Sequence, residues 1–348
     1  MNKDKRLIIH IGMSRTATTN LQRGLFPLLH NDGVINYLGK ADNMYNKINN
    51  GEIVRENFEK IINYILYNKG ENSCDNNIIK PGILNILSDE RICCSTYRLK
   101  TWGNNIDDSI SIPKKIYNYF NSEASQIIIL LTIRNQQTLI PSSFARLYSI
   151  FLNNPENESM KNYFAYNINE ISLEHYLYFF LENKNLFNWY YDKLISSYIQ
   201  YFSRENIKVL FFEDYLYNKD FYIEELSNVI KISKDRISSS LEGLHFHRDV
   251  HNNEEMIISV NQKKLLQKTM KSVYKNSIIH AVYRPVKKHW PDNFLSRLYK
   301  HKTNKSYLIK NLTSKQKKII FNKFQESNLK LYTEFGICRN KLKKYGYI

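Results

Sequence analysis

Residues 12–19, GMSRTATT, place a glycine, an arginine and four hydroxyl side chains directly after an apolar run. Gly12 allows a tight turn, and the backbone N–H groups at the start of the following helix can face an anion. Arg15 adds a charge that can bridge non-ester oxygens. The hydroxyl donors are those of Ser14, Thr16, Thr18 and Thr19. This density of donors predicts a phosphate-binding loop rather than an ordinary strand–turn–helix with threonine caps.

The position of the cation separates this segment from a nucleoside triphosphate loop of the Walker A type. A Walker A loop ends in Gly-Lys-[Ser/Thr], whereas the same register here is Ala17-Thr18-Thr19 and Arg15 lies earlier. The displaced cation therefore favours a different phosphate-bearing ligand, and a P-loop kinase remains an alternative.

A second candidate anion site follows another apolar run, in LTIRNQQTLIPSSFARLY at residues 131–148. Arg134 leaves the predicted strand, and Ser142 lies eight residues further on, early in a helix whose first turn tolerates Pro141. An arginine after a buried strand is often part of a surface ion pair, so this motif gains weight only beside the first loop. Together the two motifs predict a ligand with two separate phosphate-like groups.

Acidic residues follow a third apolar run, in ILSDERICC at residues 86–94. Ligands of α/β sheets bind beyond the carboxyl ends of the strands. One carboxylate of Asp89 and Glu90 is therefore a candidate general base. A solvated acidic strand end is an equal alternative.

Four short apolar runs predict the buried strands that would position these motifs, at residues 7–12, 82–88, 126–133 and 207–214. Helical patterns are predicted at residues 17–30, 54–68, 112–121, 138–152 and 173–202. Continuous apolarity and strand–helix alternation indicate an α/β fold with a doubly wound parallel sheet, a three-layer sandwich of the P-loop NTPase type. Beyond residue 220 a helical extension is predicted, with helices at residues 221–232 and 312–336, the second capped by Thr313 or Ser314.

The 348 residues are expected to form one domain, with an α/β core at residues 1–220 and a mostly helical, basic part at residues 221–348. The net charge of +17, much of it in residues 263–318, favours an anionic partner. Nucleic acid is disfavoured because no helix-turn-helix, RNP motif or zinc finger is present. We expect no metal site, because no Cys/His ligand spacing occurs, and no membrane span, because no window of about 18 apolar residues exists. A cytoplasmic protein is expected.

These motifs together resemble the sulfotransferases that use 3′-phosphoadenosine 5′-phosphosulfate (PAPS). IHIGMSRTATTNLQ is similar to the family's 5′-phosphosulfate loop, whose bacterial and glycan-type pattern is His-Ile-Gly-x-x-Lys-Thr-Gly-Thr-Thr-x-Leu-Gln. IRNQQTLIPSSF resembles its 3′-phosphate motif, and LSDE resembles the strand end that supplies a catalytic glutamate in the glycan-modifying branch. VLFFEDY and FQESNLKLYTEFG are similar to a later strand and a C-terminal helix, while residues 220–310 match poorly.

The resemblance implies a role for each matching residue. Residues 12–19 would hold the 5′-phosphosulfate of PAPS, and Arg134 and Ser142 would hold its 3′-phosphate. Glu90 would take a proton from an acceptor hydroxyl, with Arg15 as the catalytic cation beside the leaving group. The chemistry that the resemblance implies needs no metal.

Two positions depart from the family pattern. Arg15 stands where lysine is usual, and Ala17 stands where glycine is usual. Arginine keeps the charge but is not a mobile proton donor, and alanine fits without strain only where φ is negative. A protein that binds PAPS-type nucleotides but has lost catalysis is therefore a second alternative.

A glutamate at the base position favours a carbohydrate hydroxyl as acceptor, by analogy with the family. We expect a bacterial surface glycan or its precursor. The basic tract at residues 263–318 interleaves aromatic residues, which would suit an anionic or lipid-linked acceptor and a peripheral position at the inner membrane face.

Overall fold

The computed structural model describes residues 4–13, 15–39, 51–67, 78–93, 106–153, 173–182, 187–242, 251–252, 255–260, 305–310 and 312–348. The chain divides into two compact units. Unit 1 comprises Met1–Ile140, Phe179–Arg248 and Thr313–Ile348, and unit 2 comprises Pro141–Tyr178 and Asp249–Leu312. Most of the basic tract at residues 263–318 lies outside the described residues.

A parallel sheet forms the centre of unit 1. Its strands are β1 (Arg6–His10), β2 (Ile35–Gly39), β3 (Leu84–Ser88), β4 (Gln126–Ile133) and β5 (Ile207–Phe211). Their order is β2–β3–β1–β4–β5, and each neighbouring pair is parallel. Nearly all residues of the three strands β1, β2 and β3 are buried, as expected for a parallel sheet covered on both faces.

Helices of unit 1 cover the two faces of this sheet. Among the described residues of both units, the helices in chain order are α1 (residues 18–31, with a π-helical segment at Leu21–Leu25), α2 (Gly51–Tyr67), α3 (Ile106–Phe120), α4 (Gln136–Asn153), α5 (Leu173–Glu182), α6 (Tyr191–Ile199), α7 (Phe212–Tyr217), α8 (Lys219–Ile230), α9 (Lys234–Leu241), α10 (Ser314–Thr333) and α11 (Arg339–Lys344). One hydrophobic core joins α1, α8 and α9 to the sheet through Ile8, Ile86 and Leu130. The helices α2, α3, α6 and α10 pack in succession on the other face. The predicted α/β fold of three layers is confirmed.

Strand β2 is a difference from the sequence prediction, which places no strand there. Its middle holds Asn36, whose buried side chain donates to Asn85 Oδ1 on β3 at 2.8 Å and to the Ile78 carbonyl at 2.9 Å. A polar residue interrupts the apolar run, and its partner lies 49 positions away. The local pattern therefore does not identify this strand.

Helix α4 begins at Gln136, before the predicted start at residue 138. Asn135 caps it, because its Oδ1 accepts from the Gln137 N–H at 2.8 Å. Pro141 consequently lies inside the helix, whereas the sequence prediction places it in the first turn. The single helix predicted at residues 173–202 is also wrong, since α5 and α6 are separate elements.

Unit 2 contains a small antiparallel sheet, formed by β6 (His251–Asn252), β7 (Glu255–Val260) and β8 (Lys305–Lys310). The chain beyond residue 220 is therefore not helical throughout. Helices α8 and α10 match the two helices predicted there, and Thr313 caps α10 in a capping box with Gln316. The single domain at residues 1–348 stays a prediction. Among the described residues, no helix is both long and apolar enough to span a membrane.

Candidate functional site

The carboxyl ends of β3, β1 and β4 lie side by side, because β1 pairs with β3 on one edge and with β4 on the other. We call the segment of residues 11–17 after β1 the β1 loop. This loop and the first turn of α1 meet the segments after both neighbouring strands. The Thr18 hydroxyl donates to Glu90 Oε2 at 3.4 Å. The Arg134 Nη1 donates to the backbone carbonyl of Arg15 at 2.8 Å. The three predicted motifs therefore come together at one edge of the sheet.

Gly12 is required in the β1 loop by close packing. A Cβ at this position would lie 2.4 Å from Thr18 Cγ2 and 2.6 Å from His10 Nε2, closer than a Cβ can approach. The tight turn predicted at Gly12 occurs a few residues later. There Arg15 and Ala17 adopt positive φ angles of 71° and 59°.

An alanine at position 17 fits without strain only if its φ angle is negative, and the φ angle of Ala17 is positive. It precedes α1 in the left-handed conformation that glycine adopts without strain. An L-residue there costs roughly 1 kcal/mol or more. The backbone keeps the shape that favours glycine although the residue is alanine.

The hydroxyl side chains of the β1 loop have different surroundings. Thr16 is buried and its Oγ1 donates to the Met13 carbonyl at 2.5 Å, so this hydroxyl stabilises the loop itself. Thr18 is buried beside Glu90, and Thr19 is half-buried on α1. Ser14 lies outside the described residues.

His10 ends β1 and is buried, with its ring in contact with Gly12. Its Nδ1 lies 2.7 Å from Ser88 Oγ, which also accepts a hydrogen bond from Gln22 Nε2 at 3.2 Å. The direction of the hydrogen bond between His10 and Ser88 depends on the tautomer of the imidazole ring. Burial lowers the pKa of His10 to about 4, so the ring is neutral at neutral pH. Among the described residues Nε2 has no hydrogen-bond partner.

The structure distinguishes the two carboxylates after β3. Asp89 is buried, its Oδ1 accepts from the Arg91 N–H at 2.7 Å, and its Oδ2 pairs with the Arg91 guanidinium at 2.6 Å. Asp89 therefore caps the short turn at Glu90–Ile92. Glu90 is half-buried and is the carboxylate that reaches Thr18 at the start of α1.

Arg134 follows β4 and is buried, with an exposed fraction of 7%. Its Nε donates to Thr138 Oγ1 at 3.0 Å, and its guanidinium stacks 4.4 Å from the centre of the Phe212 ring. Burial and the neighbouring Arg15 charge lower the pKa of Arg134 to about 10, so it stays protonated at neutral pH. In the described part of the chain, both of its side-chain hydrogen-bond acceptors are uncharged. A buried cation of this kind is stabilised by an anionic ligand.

The side chains that hold the Arg134 segment carry no sequence signal that identifies them as partners. Glu213 Oε1 accepts from the Asn135 N–H at 2.8 Å, and its Oε2 accepts from the Tyr347 hydroxyl at 3.1 Å. Asn135 Nδ2 also donates to the Tyr345 carbonyl at 2.6 Å. Burial raises the pKa of Glu213, and burial followed by the Glu213 charge raises the pKa of Tyr347. The C-terminal segment is thus bonded to the end of β4.

Ser142 is buried on α4 and belongs to unit 2, whereas Arg134 belongs to unit 1. Its part in binding a 3′-phosphate stays a prediction. Within the described ranges, no group of three or more His, Cys, Asp or Glu side chains is placed to hold a metal ion.

No protein-family model matches the chain, and a search of curated proteins finds no match. Among solved structures, the chain is similar to a sulfotransferase from Alicyclobacillus acidocaldarius, with 13% sequence identity and a TM-score of 0.34. The similarity covers 80% of this chain and 97% of that chain. Similarity at this level assigns neither family nor function, so the assignment depends on the residues of the site.

Proposed function

We propose that this protein is a PAPS-dependent sulfotransferase. The observation that carries the proposal is the meeting of the β1 loop and the start of α1 with a buried arginine and a carboxylate, at three adjacent strand ends. PAPS has two separate anionic groups, a 5′-phosphosulfate and a 3′-phosphate. A transferase that uses it needs a binding element for each group and a base beside the first.

The β1 loop and the first residues of α1 are the proposed site of the 5′-phosphosulfate. Backbone N–H groups after Gly12 would face the anion, together with Arg15 and the hydroxyls of Thr18 and Thr19. Arg134 is the proposed ligand of the 3′-phosphate, with Ser142 added by the sequence resemblance. Bound PAPS would supply the sulfuryl group. The fit depends on Arg134. Both hydrogen-bond acceptors of its buried guanidinium are uncharged, and the nearby Glu213 carboxylate acts on its charge without accepting a hydrogen bond from it, so a phosphate would add a charged acceptor.

Glu90 is the proposed general base. Its carboxylate takes the proton of an acceptor hydroxyl while the acceptor oxygen bonds to sulfur and the bond from sulfur to the bridging phosphate oxygen breaks. Arg15 and Thr18 face the negative charge that collects on the departing oxygen, and a donor in such a place is typically worth about 3–4 kcal/mol. Asp89 is not assigned this role because it pairs with Arg91.

The proposed acceptor is a carbohydrate hydroxyl, in a bacterial surface glycan or its precursor, by analogy with the glycan-modifying branch. An anionic or lipid-linked acceptor at the inner membrane face would suit the net charge of +17. The proposed location of the reaction is the cytoplasm.

Thermal unfolding with added nucleotides tests the donor class. Adenosine 3′,5′-bisphosphate (PAP) should raise the melting temperature, and a PAP concentration of about 100 times Kd should add roughly 2.7 kcal/mol to the free energy of unfolding. ATP with Mg²⁺ should give a smaller shift. A larger shift with ATP and Mg²⁺ than with PAP would support the P-loop kinase and overturn the proposal. PAP binding without sulfuryl transfer to any acceptor would support a protein that has lost catalysis.

A further inference from the structure

A buried polar chain lies beside the β1 loop and takes no part in the proposed chemistry. It consists of His10 at the end of β1, Ser88 at the end of β3 and Gln22 on α1, all with exposed fractions of 4% or less. Ser88 Oγ lies 2.7 Å from His10 Nδ1 and accepts from Gln22 Nε2 at 3.2 Å. We call these three residues the His10 network. Buried polar networks of this kind fix one arrangement of the elements that carry them.

Gln22 is held at its backbone as well as at its side chain. It lies in the π-helical segment Leu21–Leu25, and its carbonyl accepts from the Tyr37 hydroxyl on β2 at 3.1 Å. Segments of π-helix are rare and occur frequently at functional sites. Through Ser88, the amide of Gln22 connects the beginning of α1 to the carboxyl ends of β3 and β1.

The other edge of the His10 ring faces the β1 loop. A Cβ added to Gly12 would meet His10 Nε2 at 2.6 Å and Thr18 Cγ2 at 2.4 Å, so both atoms lie on the same side of Gly12. The ring also packs edge-on against Phe26 of α1, with the ring centres 5.8 Å apart. The imidazole therefore contacts both Gly12 and α1, on the side of Gly12 where the Thr18 methyl group also packs.

These contacts use both edges of the imidazole ring. Nδ1 bonds with Ser88, whereas Nε2 has no hydrogen-bond partner among the described residues and lies against Gly12. An apolar side chain in place of His10 would not bond with Ser88. An asparagine would keep a polar group near Ser88, but it is too short to fill the space against Gly12.

Gly12 and Thr18 mark the two ends of the segment whose backbone N–H groups are proposed to face the 5′-phosphosulfate. We infer that His10 is a positioning residue for this anion site, because its ring holds Gly12 and Thr18 at a fixed spacing. The N–H groups between them are thereby preorganised for one anion. The inference rests on the proposed function, since the anion is taken to be the 5′ group of the nucleotide. It assigns His10 neither a contact with the nucleotide nor a proton transfer.

Paired calorimetric titrations of wild type and His10→Asn test the inference. The ligands are PAP, whose 5′-phosphate stands for the phosphosulfate, and adenosine 3′-monophosphate, which lacks the 5′ group. Wild type should bind PAP roughly 100-fold more tightly than the 3′-monophosphate. In His10→Asn this ratio should fall at least about 10-fold, while the affinity for the 3′-monophosphate stays within about twofold.

Two further variants separate positioning from stability. Ile237→Val, in the buried core at α9, should lower the free energy of unfolding in a urea titration and leave the ratio of affinities unchanged. Ser88→Ala removes both bonds of the His10 network but keeps the imidazole, so the ratio should fall a few-fold. This smaller change decides the matter if His10→Asn does not fold.

The possible outcomes distinguish the inference from the proposed function. A ratio that stays at the wild-type value in folded His10→Asn, or in Ser88→Ala if His10→Asn does not fold, would overturn the positioning role and leave the 5′ site in place. An equal fall of the ratio in Ile237→Val would also overturn it, because lost stability alone would then explain the effect. Equal affinities of wild type for PAP and the 3′-monophosphate would contradict the proposed 5′ site itself, and the inference with it.

Discussion

The β1 loop and the segment that begins at Arg134 have similar proposed tasks, since each would hold one anionic group, but they are built differently. The β1 loop is held partly by local contacts, such as the hydrogen bond from Thr16 to Met13 three residues earlier, and partly by the hydrogen bond from Arg134 Nη1 to the Arg15 carbonyl. Arg134 and Asn135 are held by Tyr191 and Glu213, which are 57 and 78 positions away, respectively. Local contacts therefore contribute to the first site, whereas the packing of distant segments holds the second.

This difference has a consequence for substitutions. The β1 loop adopts left-handed backbone at Arg15 and Ala17, so its shape responds to the residue type at those positions. The backbone around Arg134 bonds to the Tyr191 hydroxyl, and Asn135 bonds to Glu213, whose other oxygen bonds to Tyr347. A change in the C-terminal segment should therefore affect the second site directly, and the first site only through the hydrogen bond from Arg134 to the Arg15 carbonyl.

The largest expected effect is on turnover, in a variant that should keep its affinity for PAP at the β1 loop. Glu90→Gln should lower the rate of PAP release from PAPS in the presence of an acceptor by roughly a hundredfold or more, because a general base is lost. The Kd for PAP should stay within about twofold, because a proton acceptor for the acceptor hydroxyl contributes little to binding the desulfated nucleotide. Glu326→Gln, at a side chain that is 86% exposed, is the matched control. Full turnover in Glu90→Gln would remove the assignment of the base.

A smaller effect is expected on the β4 side. Tyr347→Phe removes the hydroxyl that donates to the buried Glu213, and the free energy of unfolding should fall by about 1–2 kcal/mol. PAP affinity should fall a few-fold, because Glu213 also holds Asn135 beside Arg134. Urea unfolding and PAP titration measure the two quantities. Tyr332→Phe is the control, since that side chain is 42% exposed. Equal results for both variants would show that the C-terminal segment does not support the site.

The smallest effect should be a gain in stability. Ala17→Gly relieves an L-residue at φ 59° and should raise the free energy of unfolding by about 0.5–1 kcal/mol. Ala145→Gly, in the buried interior of α4, should lower it by about 1 kcal/mol or more. Urea unfolding compares the two variants. Destabilisation by Ala17→Gly would contradict the left-handed conformation at this position.

The contrast between the β1 loop and the Arg134 segment also limits how much of each site the sequence can predict. The apolar runs of β1, β3 and β4 identify the central strands, and residue types alone indicate the anion-binding character of the β1 loop. The sequence does not predict strand β2, because a buried asparagine is unusual in a strand. Asn36 can be buried there since it donates a hydrogen bond to Asn85, which lies on another strand. The sequence does not predict the positive φ of Ala17 either, because alanine rarely adopts it.

The Arg134 site is only half predictable for a similar reason. Arg134 itself is marked by its place at a strand end, and Glu213 is marked as an acidic residue at another. Glu213 accepts from the Asn135 N–H, 78 positions away, and from the Tyr347 hydroxyl, 134 positions away, so no local pattern contains these contacts. The family resemblance already selects Glu90, but the residue types alone do not separate it from Asp89. In the structure, the Arg91 pair of Asp89 and the Thr18 contact of Glu90 separate the two carboxylates, and both depend on side-chain direction.

The central claim is that two anionic groups of one nucleotide bind at two sites, and paired titrations of wild type and Arg134→Met test it most directly. The ligands are PAP and adenosine 5′-monophosphate, which lacks the 3′-phosphate. We predict that wild type binds PAP roughly 100-fold more tightly than the monophosphate. In Arg134→Met that ratio should fall to nearly one. The affinity for the monophosphate should fall only a few-fold, because the variant also loses the hydrogen bond from Arg134 to the Arg15 carbonyl. An equal loss of affinity for both ligands would contradict the claim, because Arg134 would then not recognise the 3′-phosphate.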